Sequence, residues 1–140
     1  MYKIKKHVKS SWVSNDHPTK KEMPWGYELS WSCMKGLHGK TLVIQAGKRT
    51  SLKYHNLKTE ILFLRSGIAK VEYGTELTIS DPIGFPMKES EMHAGSSLKV
   101  QSGCPYRITA IDDCEFYEIG DNMSDRPIRI EDDYGRDVKK

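Results

Sequence analysis

Apolar residues recur at every second position along this chain in short runs, and Gly or Pro interrupts each run before a helical stripe forms. Residues 27–32 alternate, with Tyr27, Leu29 and Trp31 on one face, which predicts a strand. Residues 40–45, 51–55 and 60–65 predict further strands, and residues 33–39, with His38 and paired glycines, a loop. Ser66-Gly67 predicts a tight turn into a strand at 68–73. Pro82, Gly84 and Pro86 mark a longer loop across one end of the fold. Residues 89–94 read as a strand or turn, and 98–101, 106–111 and 115–119 as strands. About eight to ten short strands divided by turn signals predict an all-β sandwich or barrel.

Residues 1–22 are polar and Lys-rich and are expected to form an arm. Residues 23–136 are expected to form the domain, and a charged tail falls within 117–140. In the tail, Ile128 and Ile130 offer apolar anchors for packing back on the body. The 140 residues suit one domain. With 37% hydrophobic and 29% charged residues, the chain is expected to fold without covalent staples. No apolar run reaches the roughly 18 residues of a bilayer span, so no membrane partner is expected.

The net charge of +3 comes from 22 Lys and Arg against 19 Asp and Glu. Much of the excess is Lys3, Lys5, Lys6, Lys9, Lys20 and Lys21, against Asp16 alone in the first 21 residues. Such density attracts phosphate, but the interleaved stacking aromatics of a nucleic-acid surface are missing, and no nucleic-acid partner is expected. The basic start has no apolar stretch behind it and does not read as a secretory signal. The three cysteines, Cys33, Cys104 and Cys114, lack metal or redox spacing and fit free thiols in a cytoplasm.

The chemistry concentrates between Gly47 and Gly67. Gly47 is followed by Lys53, His55, Glu60 and Gly67, in the order and spacing of the first cupin motif, and this stretch resembles it. Gly95, Gln101, Gly103 and Tyr106 resemble the second cupin motif. Pro24-Trp25-Gly26-Tyr27-Glu28 and residues 129–136 are similar to segments that open and close one cupin branch, the type II mannose-6-phosphate isomerase domain. That domain is often fused to mannose-1-phosphate guanylyltransferase. The resemblance implies a cupin double-stranded β-helix, a jelly-roll barrel, over about residues 23–136. It also implies a homodimer and a small-molecule partner, a sugar phosphate or nucleotide sugar.

The resemblance puts the family's metal ligands at Lys53, His55, Glu60 and Tyr106. Cupin sites use about three imidazoles and one carboxylate, which suit zinc, manganese or iron. Here only His55 and Glu60 are ligands of that kind. A lysine ammonium has no lone pair and repels a divalent cation. The expectation is therefore no cofactor, with a divalent metal held by His55 and Glu60 as the alternative.

Strand alternation puts Ser51, Lys53 and His55 on one face, and Tyr106, Ile108 and Ala110 on one face. In a jelly roll that face points inward. Lys53, paired with Glu60, would then supply positive charge, and Lys53, His55, Glu60 and Tyr106 would form an acid–base group for sugar isomerisation or epimerisation. Arg107 and Arg49 are candidates to hold a phosphate; for Arg107 the alternative is an outward, solvated position. A sugar-binding protein without turnover, or a site kept only for assembly, remain the alternative functions. Cys104 lies close to Tyr106, but no basic partner marks it as a nucleophile.

Overall fold

The computed structural model describes residues 8–122 and 124–139. Lys3, Lys5, Lys6 and His7 of the arm lie outside the described residues. The strands are β1 (Thr19–Met23), β2 (Gly26–Met34), β3 (Leu37–Ile44), β4 (Leu52–Tyr54), β5 (Glu60–Ser66) and β6 (Ile68–Tyr73). They continue with β7 (Lys88–His93), β8 (Ser97–Val100), β9 (Tyr106–Ala110), β10 (Cys114–Gly120) and β11 (Ile128–Glu131). One six-stranded sheet runs β1-β2-β3-β10-β5-β8 and one five-stranded sheet runs β11-β4-β9-β6-β7. Every pairing is antiparallel. No helix among the described residues is long and apolar enough to cross a membrane.

Alternation builds the core. Leu62 and Leu64 of β5, Leu98 and Val100 of β8, and Cys114 and Phe116 of β10 point inward from one sheet. Ala69 and Val71 of β6 and Ile108 and Ala110 of β9 meet them from the other. The outer face of the six-stranded sheet leaves Trp31, Ile61, Phe63 and Ile119 exposed. Tyr117 stands between Trp31 and Phe63, with ring centroids 5.5 and 6.4 Å away.

Two local expectations differ from the structure, and the tail packs back on the body as expected. Residues 33–39 are not a loop: β2 and β3 form one long hairpin closed at Lys35-Gly36. Both turn residues have positive φ, 48° and 78°, which matches the twist of the flanking strands. The paired glycines concealed it, because Gly39 lies inside β3 with Trp31 packed over its missing side chain. The last residues of the expected arm form the edge strand β1, paired with β2 from Thr19↔Ser30 to Met23↔Gly26. The tail supplies β11, paired with β4, so Ile128 enters the five-stranded sheet directly.

The turn at Ser66-Gly67 is tight as expected. Gly67 has φ 97°, and a Cβ there would lie 2.3 Å from the Asp113 carbonyl oxygen. The residues from Gly74 to Pro86 contain no strand, in agreement with the long loop.

Candidate active site

The barrel interior changes character along its strands. On β10 the inward series runs Cys114, Phe116, Glu118, Gly120; on β5 it runs Leu64, Leu62, Glu60. On β3 it runs Ile44, Leu42, Lys40, His38. Each strand is apolar at one end and ionisable at the other, so the polar ends converge on one mouth of the barrel. A cavity of about 750 Å³ opens there, floored by Leu42, Leu62 and Ile108 and lined by Lys53, His55, Glu60, Tyr106 and Glu118. The four cupin-motif side chains are thus brought to one cavity.

Glu60 is the centre. It is 1% exposed. Its Oε1 accepts a hydrogen bond from the Tyr106 hydroxyl at 3.1 Å. His55 Nδ1 approaches the same oxygen to 3.2 Å, at an angle that leaves Nδ1 without a hydrogen bond. Glu60 Oε2 lies 3.3 Å from Lys58 Nζ and also lacks a hydrogen-bond partner. The ammonium beside Glu60 is therefore Lys58. Lys53, expected in that role, has no ion pair among the described residues; its Nζ lies 5.5 Å from the centroid of the Tyr106 ring. The reason is topological. Lys53 lies on the five-stranded sheet opposite Glu60, whereas Lys58 sits two residues before Glu60 and reaches in beside it.

Glu118, on the central strand β10, was not singled out by the sequence. It pairs across β10–β5 with Leu62, while Gly120 pairs with Glu60. Glu60 and Glu118 are thus diagonal neighbours on one face, within reach of each other. Lys58 Nζ bridges them, donating to Glu118 Oε2 at 3.3 Å. Lys40 Nζ lies 3.6 Å from Glu118 and 3.3 Å from Glu28. The phase of Phe116, Glu118 and Gly120 was the available signal. Gly120 is required by the crowding, since a Cβ there would lie 2.6 Å from His38 Nε2 and 3.0 Å from Lys58 Cε.

The two carboxyls are driven apart. Burial pushes Glu118 up to about 7, reinforced by the Glu60 charge beside it, against the pull of Lys40 and Lys58. Burial would also raise Glu60. The nearby His55 ring, the adjacent Glu118 carboxyl and the Lys58 and Lys53 ammoniums outweigh it and hold Glu60 well below the carboxylate range. The pair therefore presents an ionised Glu60 beside a Glu118 that keeps its proton up to about pH 7. Burial, then the Glu60 charge, raises the Tyr106 phenol and keeps it a donor. Burial lowers Lys53, only partly offset by Glu60 and Glu118.

A divalent metal does not fit this donor set. Of the four motif positions, only His55 and Glu60 are metal-type ligands, Tyr106 keeps its proton on Glu60, and Lys58 lies 3.3 Å from the carboxylate oxygen a metal would need. No group of three or more His, Cys, Asp or Glu able to hold a metal occurs among the described residues.

Arg49 and Arg107 do not face the cavity as phosphate holders. Arg49 binds Asp133 through Nε and Nη2, at 2.5 and 2.7 Å. Arg107 is 2% exposed rather than solvated. It donates to the Thr50 carbonyl at 3.0 Å, to the Glu131 carboxylate at 3.1 Å and to the Glu131 carbonyl at 3.3 Å. Both fix the tail, and Tyr134 adds a hydrogen bond to the Arg49 carbonyl at 2.7 Å. Arg136 pairs with Asp132 within the tail. Cys104 lines a separate cavity of about 500 Å³ with Tyr73, Pro86 and Lys88. Burial and Glu76 raise its thiol, which disfavours a nucleophilic role.

This two-sheet barrel, with its motif residues at one mouth, is a cupin jelly roll. The chain is similar to a single-substitution variant of Bacillus subtilis oxalate decarboxylase at 19% identity and a TM-score of 0.66, covering 82% of this chain and 31% of that one. It is similar to a Lactobacillus farciminis oxalate decarboxylase in a formate complex at 20% identity and a TM-score of 0.64, covering 80% and 34%. It is also similar to a hazelnut (Corylus avellana) vicilin at 13% identity and a TM-score of 0.65, covering 83% and 35%. The chain spans about a third of the length of each, and the likeness is one of fold. No protein-family model and no curated protein matches the chain.

Proposed function

We propose that the cavity takes a sugar phosphate or the sugar end of a nucleotide sugar and moves a proton on it, as an isomerase or epimerase that uses side chains in place of a metal. The observation that carries this reading is the pair of buried polar atoms left without hydrogen bonds, Glu60 Oε2 and His55 Nδ1, beside a Glu118 that exchanges its proton near pH 7. Buried polar groups are ordinarily satisfied, so such a pair calls for a ligand with hydroxyl groups or for ordered water. Carboxyls driven to opposite protonation states are a recurring arrangement for acid–base work. Glu60 Oε2 would take the proton from the carbon next to the substrate carbonyl. Glu118 or Tyr106 would give a proton to the carbonyl oxygen, forming an enediol. Return of the first proton to the neighbouring carbon, with the adjacent hydroxyl giving its proton back to Glu118 or Tyr106, yields the isomer. Protonation of the original carbon on its other face, with the oxygen's proton returned to its donor, yields the epimer.

Binding without turnover is the second reading. It is favoured by the low pKa of Glu60, which suits an acceptor of sugar hydroxyls better than a strong base. One experiment separates the two: incubation with mannose 6-phosphate and with nucleotide sugars in deuterated water, followed by NMR. The enzyme reading expects deuterium next to the carbonyl and a new isomer. A ligand-dependent rise in melting temperature without exchange would overturn it in favour of binding. A homodimer through the outer face of the six-stranded sheet belongs to the same proposal, supported by the exposed apolar row of Ile61, Phe63 and Ile119.

A further inference from the structure

Arg129 of β11 pairs directly with Lys53 of β4, and Lys53 pairs directly with Tyr106 of β9. Directly opposed residues on antiparallel strands share a face, and all three line the cavity. They form one row across the five-stranded sheet, from the barrel mouth to the hydroxyl that holds Glu60. Like charges directly opposite each other destabilise a sheet. Yet neither Lys53 nor Arg129 has an ion pair or side-chain hydrogen bond among the described residues, and Arg129 Nε is buried without a partner.

The surrounding charges do not resolve this. Asp132 is held by Arg136 through its backbone N–H and guanidinium. Glu60 is engaged by Tyr106 and Lys58. Lys139 adds another ammonium, donating to the Tyr54 hydroxyl at 3.1 Å. Asp125 accepts from the Leu57 and Lys58 backbone N–H groups, which leaves Asp137 as the cavity-lining carboxylate near the chain end. Around the whole cavity, eight lysines and arginines stand against five aspartates and glutamates.

We propose that Lys53 and Arg129 form an anion subsite that takes a phosphate group. A guanidinium matches two phosphate oxygens at once, and an ammonium adds a point charge opposite. Strands lie about 4.8 Å apart, so Arg129 stands about 10 Å from Tyr106 with Lys53 midway. An anion between the two cations leaves the rest of its molecule over Tyr106 and Glu60, at the reach of a six-carbon sugar from its phosphate to its carbonyl end. This ligand identity rests on the function proposed above; the subsite itself rests on the row. The phosphate role that the sequence suggested for Arg49 and Arg107 falls to Lys53 and Arg129.

Calorimetric titration of the full chain with inorganic phosphate, mannose 6-phosphate and mannose tests the subsite. The wild type is expected to bind both phosphates with an affinity that falls as salt rises. Arg129→Gln is expected to lose at least tenfold for both phosphates and nothing for mannose. Arg65→Gln, on the outer face, is expected to behave as wild type. Lys53→Met gives the same reading should Arg129→Gln melt below the assay temperature. Phosphate binding unchanged in both variants, or no phosphate binding by wild type, overturns the subsite. Arg129-dependent binding without proton exchange leaves the subsite standing and removes the isomerase reading. Turnover of a sugar phosphate with an unchanged KM in Arg129→Gln does the reverse.

Discussion

Glu118→Gln isolates the consequence of burying a second carboxyl beside Glu60. The folded state holds the Glu118 pKa at about 7, against an ordinary value of 4.5. A displacement of that size corresponds to about 3 kcal/mol as a ceiling. The folded pKa lies above the unfolded one, which sets the sign. Below about pH 4.5 both states carry the proton and the group has no effect. Between there and about pH 7 the unfolded chain releases its proton while the folded chain keeps it, so stability falls as pH rises and then levels off. Glu60 has the opposite sign: its lowered pKa adds stability above the usual carboxylate range, lost as pH falls. Urea denaturation of wild type and Glu118→Gln between about pH 5 and pH 8 reads the difference. Glutamine keeps a donor for Glu60 and has no proton to lose. The stability of the variant relative to wild type should therefore climb by up to about 3 kcal/mol across that window, whatever fixed offset the lost contacts with Lys40 and Lys58 impose. His38 and Lys40 titrate in both proteins and largely cancel in the comparison. Parallel pH profiles would refute the proton-sharing pair.

Tyr106→Phe removes the donor to Glu60 Oε1; a loss of about 1–3 kcal/mol in urea denaturation and at least a tenfold loss of proton exchange are expected. Arg107→Met leaves the Thr50 carbonyl and Glu131 without their buried partner; a loss of about 3 kcal/mol is expected, with faster trypsin cleavage at Arg126 as the tail detaches. Asp at both Ile61 and Phe63 places charge on the apolar outer face and is expected to convert a dimer to a monomer in sedimentation velocity, with the melting temperature little changed.

The barrel was legible because each strand alternates in phase with its inward face. Residues 60–65 and 68–73 correspond closely to β5 and β6, and the motif spacing brought Lys53, His55, Glu60 and Tyr106 to one cavity. What was not legible depends on pairing between distant strands. Glu118 matters because β10 sits between β3 and β5, which places it beside Lys40 and diagonal to Glu60. The order of strands in a sheet is not contained in the periodicity of any one of them. Lys58 was overlooked because it precedes its strand, although it is in phase with Glu60. Arg49 and Arg107 were misplaced for the same reason: their carboxylate partners lie on the tail, 84 and 24 residues away.

The graded interior also separates folding from function. Leu62, Leu64, Phe116 and Ile44 of one sheet pack with Val71, Ile108 and Ala110 of the other, and the strands would close as well with apolar side chains at positions 60 and 118. Replacing buried ionic groups by apolar ones of similar size is often neutral or stabilising. A barrel that keeps Glu60, Glu118, Lys40 and Lys58 together at one mouth therefore carries a stability cost that packing does not explain. Such departures from local consistency are expected at functional sites. Lys53 and Arg129, without ion pairs among the described residues, extend the same reasoning from the proton-handling residues to the sheet facing them. A cavity with a lysine-bridged carboxyl pair on one wall and, on the other, two cations without ion pairs among the described residues suits an elongated ligand with a hydroxylated body and an anionic end.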